Sequence, residues 1–208
     1  MTVKVFVTGG TFDKDYDEIE GKLFFNNTQL HKMLELGRCS LDIEIETLMM
    51  KDSLDMTEND RNIIVNKCKK TKQDKIVITH GTDKMVETAR ALVKSIDNKT
   101  IILTGAMIPI RFGSSDGLFN LGSSLAFVQS LPHGVYISMN GRFFHWNNVR
   151  KNNQTGKFVE LKNIIENQNK SEKHSIIIYN SKVEKFIGSV KEFVGLDACD
   201  SLSLENIY

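Results

Sequence analysis

The chain has 208 residues, 27 basic and 26 acidic side chains and a formal net charge of +1. That length supports one full core and excludes two sizeable domains. The charge balance excludes a basic face built for nucleic acid or a membrane surface. With 40% hydrophobic and 25% charged residues, the chain reads as a folded globular protein rather than a disordered one. Its cysteines, Cys39, Cys68 and Cys199, are odd in number and share no ligand spacing, so they read as free thiols of a reducing compartment. The five histidines form no HExxH or Cys/His cluster, so neither a metal nor a cofactor is expected. MTVKVFVTGGTF reaches a glycine pair too soon for a signal-peptide core, and no apolar run is long enough for a membrane span. The expected location is the cytoplasm.

In chain order, Val3 to Val7 reads as a buried strand ended by Gly9 and Gly10, followed by a turn-rich stretch to Asn27. Leu30, Met33 and Leu34 have helix spacing, with Asn27 or Thr28 as N-cap. Leu41 to Leu48 alternates, Ile43 and Ile45 against Glu44 and Glu46, as a half-exposed strand toward a sheet edge does. Thr57 to Asp60 has capping-box spacing and opens a helix whose core face is Ile63, Ile64 and Cys68. Ile76 to Thr79 is a strand, His80-Gly81-Thr82-Asp83 a tight turn, and Met85, Val86, Ala89, Leu92, Val93 and Ile96 a helical stripe. Ile101 to Leu103 is the next strand, Leu118, Leu121, Leu125 and Val128 mark a helix, and Val135 to Ser138 is a fifth strand. Beyond these, Asn140 to Trp146 and Thr155 to Leu161 suit a β-hairpin, Ser175 to Tyr179 a late strand and Val183 to Val194 a helix.

Strands alternating with helices imply an α/β, doubly wound and mainly parallel sheet of flavodoxin-like or Rossmann-like topology, with a late β-hairpin. In a flavodoxin-like order the first and third strands are neighbours, and ligands bind beyond their carboxyl ends. Those ends are Thr8-Gly9-Gly10-Thr11 and Thr79-His80-Gly81-Thr82-Asp83. The first string is neither a Walker loop nor a dinucleotide fingerprint; alone it reads as a turn, or as a hydroxyl nucleophile, Thr11, held beside backbone amides. In the second, Thr82 or Asp83 either caps the following helix or stands at an anion-binding helix N-terminus. His80 receives no role. Asn147 to Asn152, with Arg150 and Lys151, reads as a solvated loop.

TGGTF at 8–12, KDSLDMT at 51–57, VITHGTDKMVETA at 77–89, ILTGAMIP at 102–109, SSDGLFNL at 114–121 and the segment from Met139 to Lys151 together resemble the L-asparaginase family with the two-Thr active site, in its short bacterial form. The resemblance implies an asparaginase N-terminal-type catalytic domain over residues 1–160. Residues 161–208 would then be a C-terminal extension rather than the family's full second domain. By the same resemblance Thr11 is the nucleophile and Tyr16, close behind it, the partner tyrosine. Thr82, Asp83 and Lys151 match the second triad, and Asp52, Ser53, Gly81 and Asp83 match substrate-binding positions. The acid that the second domain gives to a neighbouring protomer is missing, and Glu184, Glu192 and Asp197 are candidate replacements.

The implied reaction is double displacement. Thr11 attacks the side-chain amide of L-asparagine, ammonia leaves, and water releases L-aspartate. Backbone N–H groups at Thr11 and Thr82 suit the oxyanion. L-glutamine, one methylene longer, is a weaker second substrate. No nucleic-acid or membrane partner is expected, and the resemblance implies a homodimer or homotetramer. The alternatives are a non-catalytic amino-acid-binding or degenerate module, and an amidase component that feeds ammonia to a larger assembly.

Overall fold

β1 (Thr2–Gly9) is buried from Val3 onward, as an apolar run central to a parallel sheet must be. The computed structural model describes residues 1–161, and by their contacts Met1–Leu161 form one unit. After β1 come β2 (Lys14–Asp17), β3 (Lys22–Phe25), α1 (Leu30–Leu36), β4 (Asp42–Lys51), α2 (Glu58–Lys70), β5 (Lys75–Thr79) and α3 (Met85–Val93). Then follow β6 (Thr100–Thr104), α4 (Gly117–Ser130), β7 (Gly134–Met139), β8 (Arg142–His145), β9 (Arg150–Lys151) and β10 (Phe158–Val159).

The main sheet runs β4-β1-β5-β6-β7-β8. Its first five strands are parallel, and β8 joins β7 antiparallel. Counting only the parallel strands, the order is 2-1-3-4-5, the flavodoxin-like order, and β1 lies beside β5. Alternation along the strands splits the core in two. Val3, Val5, Val7, Val77 and Ile102 pack with α1 and α4 through Leu30, Met33, Leu121, Leu125 and Val128. Phe6, Ile76, Ile78 and Leu103 pack with α2 and α3 through Ile64, Cys68, Met85, Ala89 and Leu92.

β4 is an edge strand whose Glu44 and Glu46 have a specific partner. Lys4 lies buried on β1, and its ammonium meets Glu44 at 2.7 Å and Glu46 at 3.0 Å. Burial alone would lower the Lys4 pKa, but hydrogen bonds and charge from the two glutamates raise it above its ordinary value. The capping box of α2 is formed, with the Thr57 and Asp60 side chains each accepting from the other's backbone N–H. Asp60 also takes the Lys51 ammonium at 2.8 Å.

Several local expectations are corrected. The stretch before Asn27 holds a hairpin, β2 against β3. Gln29, not Asn27, directly precedes α1 and makes no side-chain cap; the expected Thr28 hydroxyl accepts from the Leu30 N–H at 3.3 Å, as a capping side chain does, and donates to Asp13 at 2.8 Å, and Asp13 also accepts from the Gln29 N–H. Ile63 and Leu118 are 38% and 37% exposed rather than core; Val65 is buried on α2 in Ile63's stead. The late hairpin pairs differently from the expectation that Asn140 to Trp146 would pair with Thr155 to Leu161. β8 folds back on β7, and residues 158–159 pair with β9. The cause is the two-residue turn Asn140-Gly141, with φ of 56° and 76°, the conformation that matches strand twist in a tight hairpin. The expected strand at Ser175 to Tyr179, the helix at Val183 to Val194, the donors Glu184, Glu192 and Asp197, and Cys199 lie outside the described residues.

Candidate active site

The carboxyl ends of β1 and β5 are stitched together. The Thr8 hydroxyl donates to the Thr79 carbonyl at 2.7 Å. The chain then turns through Gly9 and Gly10, with φ of +92° and +76°, and the Gly10 N–H donates to the Lys51 carbonyl at the end of β4 at 3.0 Å. A Cβ on Gly10 would stand 2.4 Å from the Gly81 nitrogen, and one on Gly81 would stand 2.5 Å from the Ser53 hydroxyl oxygen. At Gly10 backbone meets backbone, and at Gly81 backbone meets the Ser53 side chain, where a further side chain cannot fit. The result brings half-buried Thr11, buried Ser53 and buried Thr82, carried by three adjacent strand ends, to one rim.

At this rim Lys151 closes a triad. Its Nζ lies 2.8 Å from Thr82 Oγ1 and 2.8 Å from Asp83 Oδ1. Neither Thr82 nor Asp83 caps α3; the N-cap is Lys84, and its N–H donates to Ser53 Oγ at 3.3 Å. Lys151 is no solvated loop residue either. It sits on β9, and its side chain is 15% exposed. The β9–β10 reversal is fixed by Asn152, whose side chain accepts from the Gln154 and Thr155 N–H groups.

Tyr16 stands apart. It lies on β2, 51% exposed, with its ring edge-on to Phe112 at a centroid distance of 6.3 Å. Among the described residues its hydroxyl makes no hydrogen bond to Thr11 or Lys151. Asp52 caps the turn holding Ser53, accepting from the Leu54 N–H at 3.1 Å, and pairs with Lys14 at 2.5 Å. Burial opposes the Asp52 charge, yet the Lys14 and Leu54 hydrogen bonds and the charges of Lys14 and Lys151 hold its carboxyl below its ordinary value. Lys14 was not a sequence candidate, and no sequence signal marked it, because the strand that sets it on one face with Tyr16 has no apolar period.

His80, given no role, is fully buried. Its Nδ1 lies 2.7 Å from the Gly81 carbonyl and its Nε2 2.8 Å from the Thr88 hydroxyl. A carbonyl only accepts, so Nδ1 carries the proton and Nε2 accepts from Thr88. Burial pushes its pKa down to about 4, with the Arg61 charge adding to the fall and the Gly81 bond and Asp52 opposing it. Among the described residues no group of His, Cys, Asp and Glu is suited to hold a metal ion. No helix among them is long and apolar enough to cross a membrane.

These features define a class: a doubly wound α/β protein in which two threonine-bearing glycine turns at neighbouring strand ends share a rim with a lysine–aspartate pair. The chain belongs to the family described as Asparaginase, N-terminal, whose model matches residues 2–176. It is 34% identical over 167 residues to L-asparaginase 1 of Escherichia coli K12, covering 74% of this chain and 48% of that protein. The solved structure of the thermostable L-asparaginase from Thermococcus kodakarensis superposes with a TM-score of 0.67 at 27% identity, covering 77% of this chain and 51% of that one. L-asparaginase I from Vibrio cholerae also gives 0.67, at 28% identity, covering 76% and 51%. A component of the glutamyl-tRNA(Gln) amidotransferase of Methanococcus vannielii is 28% identical over 233 residues, covering 94% of this chain and 53% of that protein. The chain spans about half the length of these relatives.

Proposed function

We propose that this chain hydrolyses the side-chain amide of L-asparagine, with Thr11 as nucleophile and the Thr82–Lys151–Asp83 triad as its partner. One observation carries this reading: the Lys151 ammonium lies 2.8 Å from both Thr82 Oγ1 and Asp83 Oδ1 at the rim that Thr11 enters. Because Thr82 Oγ1 accepts from Lys151, its own proton is free to point outward, toward substrate or a relaying water. Thr11 Oγ attacks the amide carbon as its proton passes, through Tyr16 or through Thr82 and water, towards the departing amide nitrogen, with the Lys151 ammonium holding Thr82 Oγ1 in place. The amide nitrogen takes a proton and leaves as ammonia. Water then attacks the β-acyl ester, and aspartate departs as Thr11 regains its hydrogen. Backbone N–H groups at Thr11 and Thr82 face the oxyanion, where one such donor is worth about 3 kcal/mol of barrier. Asp52, Ser53, Gly81 and Asp83 hold the α-amino and α-carboxylate groups, and L-glutamine is the weaker substrate.

We assign residues 1–160 to the catalytic domain, 161–208 to an extension, and the working form to a cytoplasmic homodimer or homotetramer, which light scattering tests. Ammonia release by the isolated chain, coupled to an indicator enzyme, is the direct measurement. Thr11→Ala should lower turnover on the order of a thousandfold or more, because the nucleophile is gone, and Thr82→Val should cut it strongly. Near-normal turnover in Thr11→Ala would overturn the assignment.

The alignment with an amidotransferase component over 94% of this chain favours a second reading, in which the same chemistry feeds ammonia to a partner. Co-purification of such a partner, with faster turnover in the complex, would distinguish it.

A further inference from the structure

Asp116 is the N-cap residue of α4, yet its carboxylate makes no capping bond to that helix. It reaches back to the loop after β6 instead. Asp116 Oδ1 accepts from the Met107 N–H at 3.0 Å and the Ile108 N–H at 3.1 Å; Oδ2 accepts from the Met107 N–H at 3.1 Å and from Asn120 Nδ2 at 2.9 Å. Asn120 is fully buried. Its amide nitrogen also donates to the Gly105 carbonyl at 2.9 Å, and its oxygen accepts from the Asn140 N–H, in the β7–β8 turn, at 2.9 Å. The two side chains thus pin residues 105–108 and the β7–β8 turn to the first turn of α4.

The pinned loop meets both segments that carry the triad. On one side, a Cβ on Gly105 would stand 2.5 Å from the His80 carbonyl oxygen and 3.2 Å from Thr82 Cγ2. Gly105 is therefore pressed against the turn that carries Thr82. On the other side, the Met107 methyl lies 3.0 Å from where a Cβ of Gly156 would be. Gly156 belongs to the β9–β10 reversal, its N–H bonded to the Asn152 carbonyl, and Lys151 is the residue before Asn152. Loop 105–108 is thus a spacer wedged between the Thr82 turn and the Lys151 hairpin.

We propose that Asp116 and Asn120 are positioning residues that, through Gly105 and Met107, set the distance between Thr82 and Lys151. The inference rests on the role proposed above for that pair. A cap that only served α4 would bond the helix's own free N–H groups; this one gives them up to hold a loop whose neighbours are the turn that carries Thr82 and the hairpin that carries Lys151.

The test uses the full chain and two readouts. Asp116→Asn puts an amide donor where two N–H groups need an acceptor. Asn120→Asp keeps the acceptor for Asn140 but loses the donors to Gly105 and Asp116. Each should lower kcat by about ten- to a hundredfold with little change in KM, the scale expected when reacting groups are displaced by about 1 Å. The second readout is independent of activity: the rate at which acetic anhydride modifies Lys151, followed by mass spectrometry of its peptide, should rise several-fold as the ammonium loses Thr82 and Asp83. Met107→Ala, at a 39% exposed position that does not threaten the fold, should raise the same rate and stands in if the network variants fail to fold. Unchanged kcat and unchanged Lys151 labelling in folded Asp116→Asn would overturn the inference. So would a KM rise with unchanged labelling, or unchanged labelling in Met107→Ala when the network variants do not fold. If the wild type releases no ammonia, the proposed function falls and the labelling rates still decide the positioning role.

Discussion

Gly10→Ala probes the contact that defines the rim. The methyl group would arrive 2.4 Å from the Gly81 nitrogen and 2.7 Å from both Gly81 Cα and the His80 carbonyl carbon, all backbone atoms with no rotamer to yield. Cβ contacts below 3.0 Å essentially do not occur, so the Thr11 turn and the Thr82 turn must part by more than half an ångström. With φ +76° and ψ −172° Gly10 lies in a region essentially reserved for glycine, which costs alanine about 1–3 kcal/mol of stability. Displacement of reacting groups on this scale lowers turnover by about a hundredfold. Gly113→Ala separates the two effects, because Gly113 has a φ of +79° and nothing within 4 Å of its Cβ position. Urea unfolding should show both variants destabilised by positive-φ strain, Gly10→Ala the more so through its clash and its extended ψ of −172° against −32° at Gly113. Coupled ammonia detection should show only Gly10→Ala losing turnover. Wild-type turnover in Gly10→Ala would refute the claim that backbone contact between the two turns sets the site.

Other outcomes follow from buried charge and titration. The Asp60 carboxyl is held down to about 2 from 3.8, chiefly by the Lys51 hydrogen bond and then by the Thr57 N–H and hydroxyl. Asp60→Asn should cost about 2 kcal/mol at pH 7; a depressed carboxyl stabilises above its unfolded pKa, so in urea titrations the difference should fade as pH drops through about 2. His80 titrates at about 4 against 6.5 unfolded, so the unfolded chain takes up the proton first as pH falls. Wild-type stability should drop by about 3 kcal/mol between pH 7 and 4, a loss His80→Gln should not show. Burial pushes the Cys68 thiol up to about 12, so iodoacetamide should spare Cys68 in the native protein while modifying half-buried Cys39.

The order of the parallel strands was assumed from the βα alternation rather than read from any residue; the strands themselves were legible because most are short apolar runs followed by a helical stripe, as strands buried on both faces must be. The β2–β3 hairpin was not, because Lys14-Asp-Tyr-Asp17 is polar, short and half exposed and so carries no apolar period. The β7–β8 turn did leave a signal, the Asn140-Gly141 dipeptide, that the looser hairpin assignment passed over. In the rim, the glycine–threonine strings pointed to Thr11 and Thr82, because a turn at a strand end is a local feature. Lys151 came only from family spacing, since the hairpin that supports it is two residues wide. Asn120 lay unread inside an apolar helix pattern, where one buried amide among leucines was the only mark of the network it joins.

The groups at the rim enter it from β1, β4, β5 and β9, so chain from Thr11 to Lys151 must be in register before any of them has its neighbours. A partly folded chain with its early strands paired still lacks the lysine, and one with only the late hairpin lacks the threonines. Contacts that far apart in sequence form late, because the closure entropy of the intervening loops must be met first. Recovery of turnover after dilution from denaturant would therefore report completion of the whole sheet, lagging any optical signal that senses helices alone.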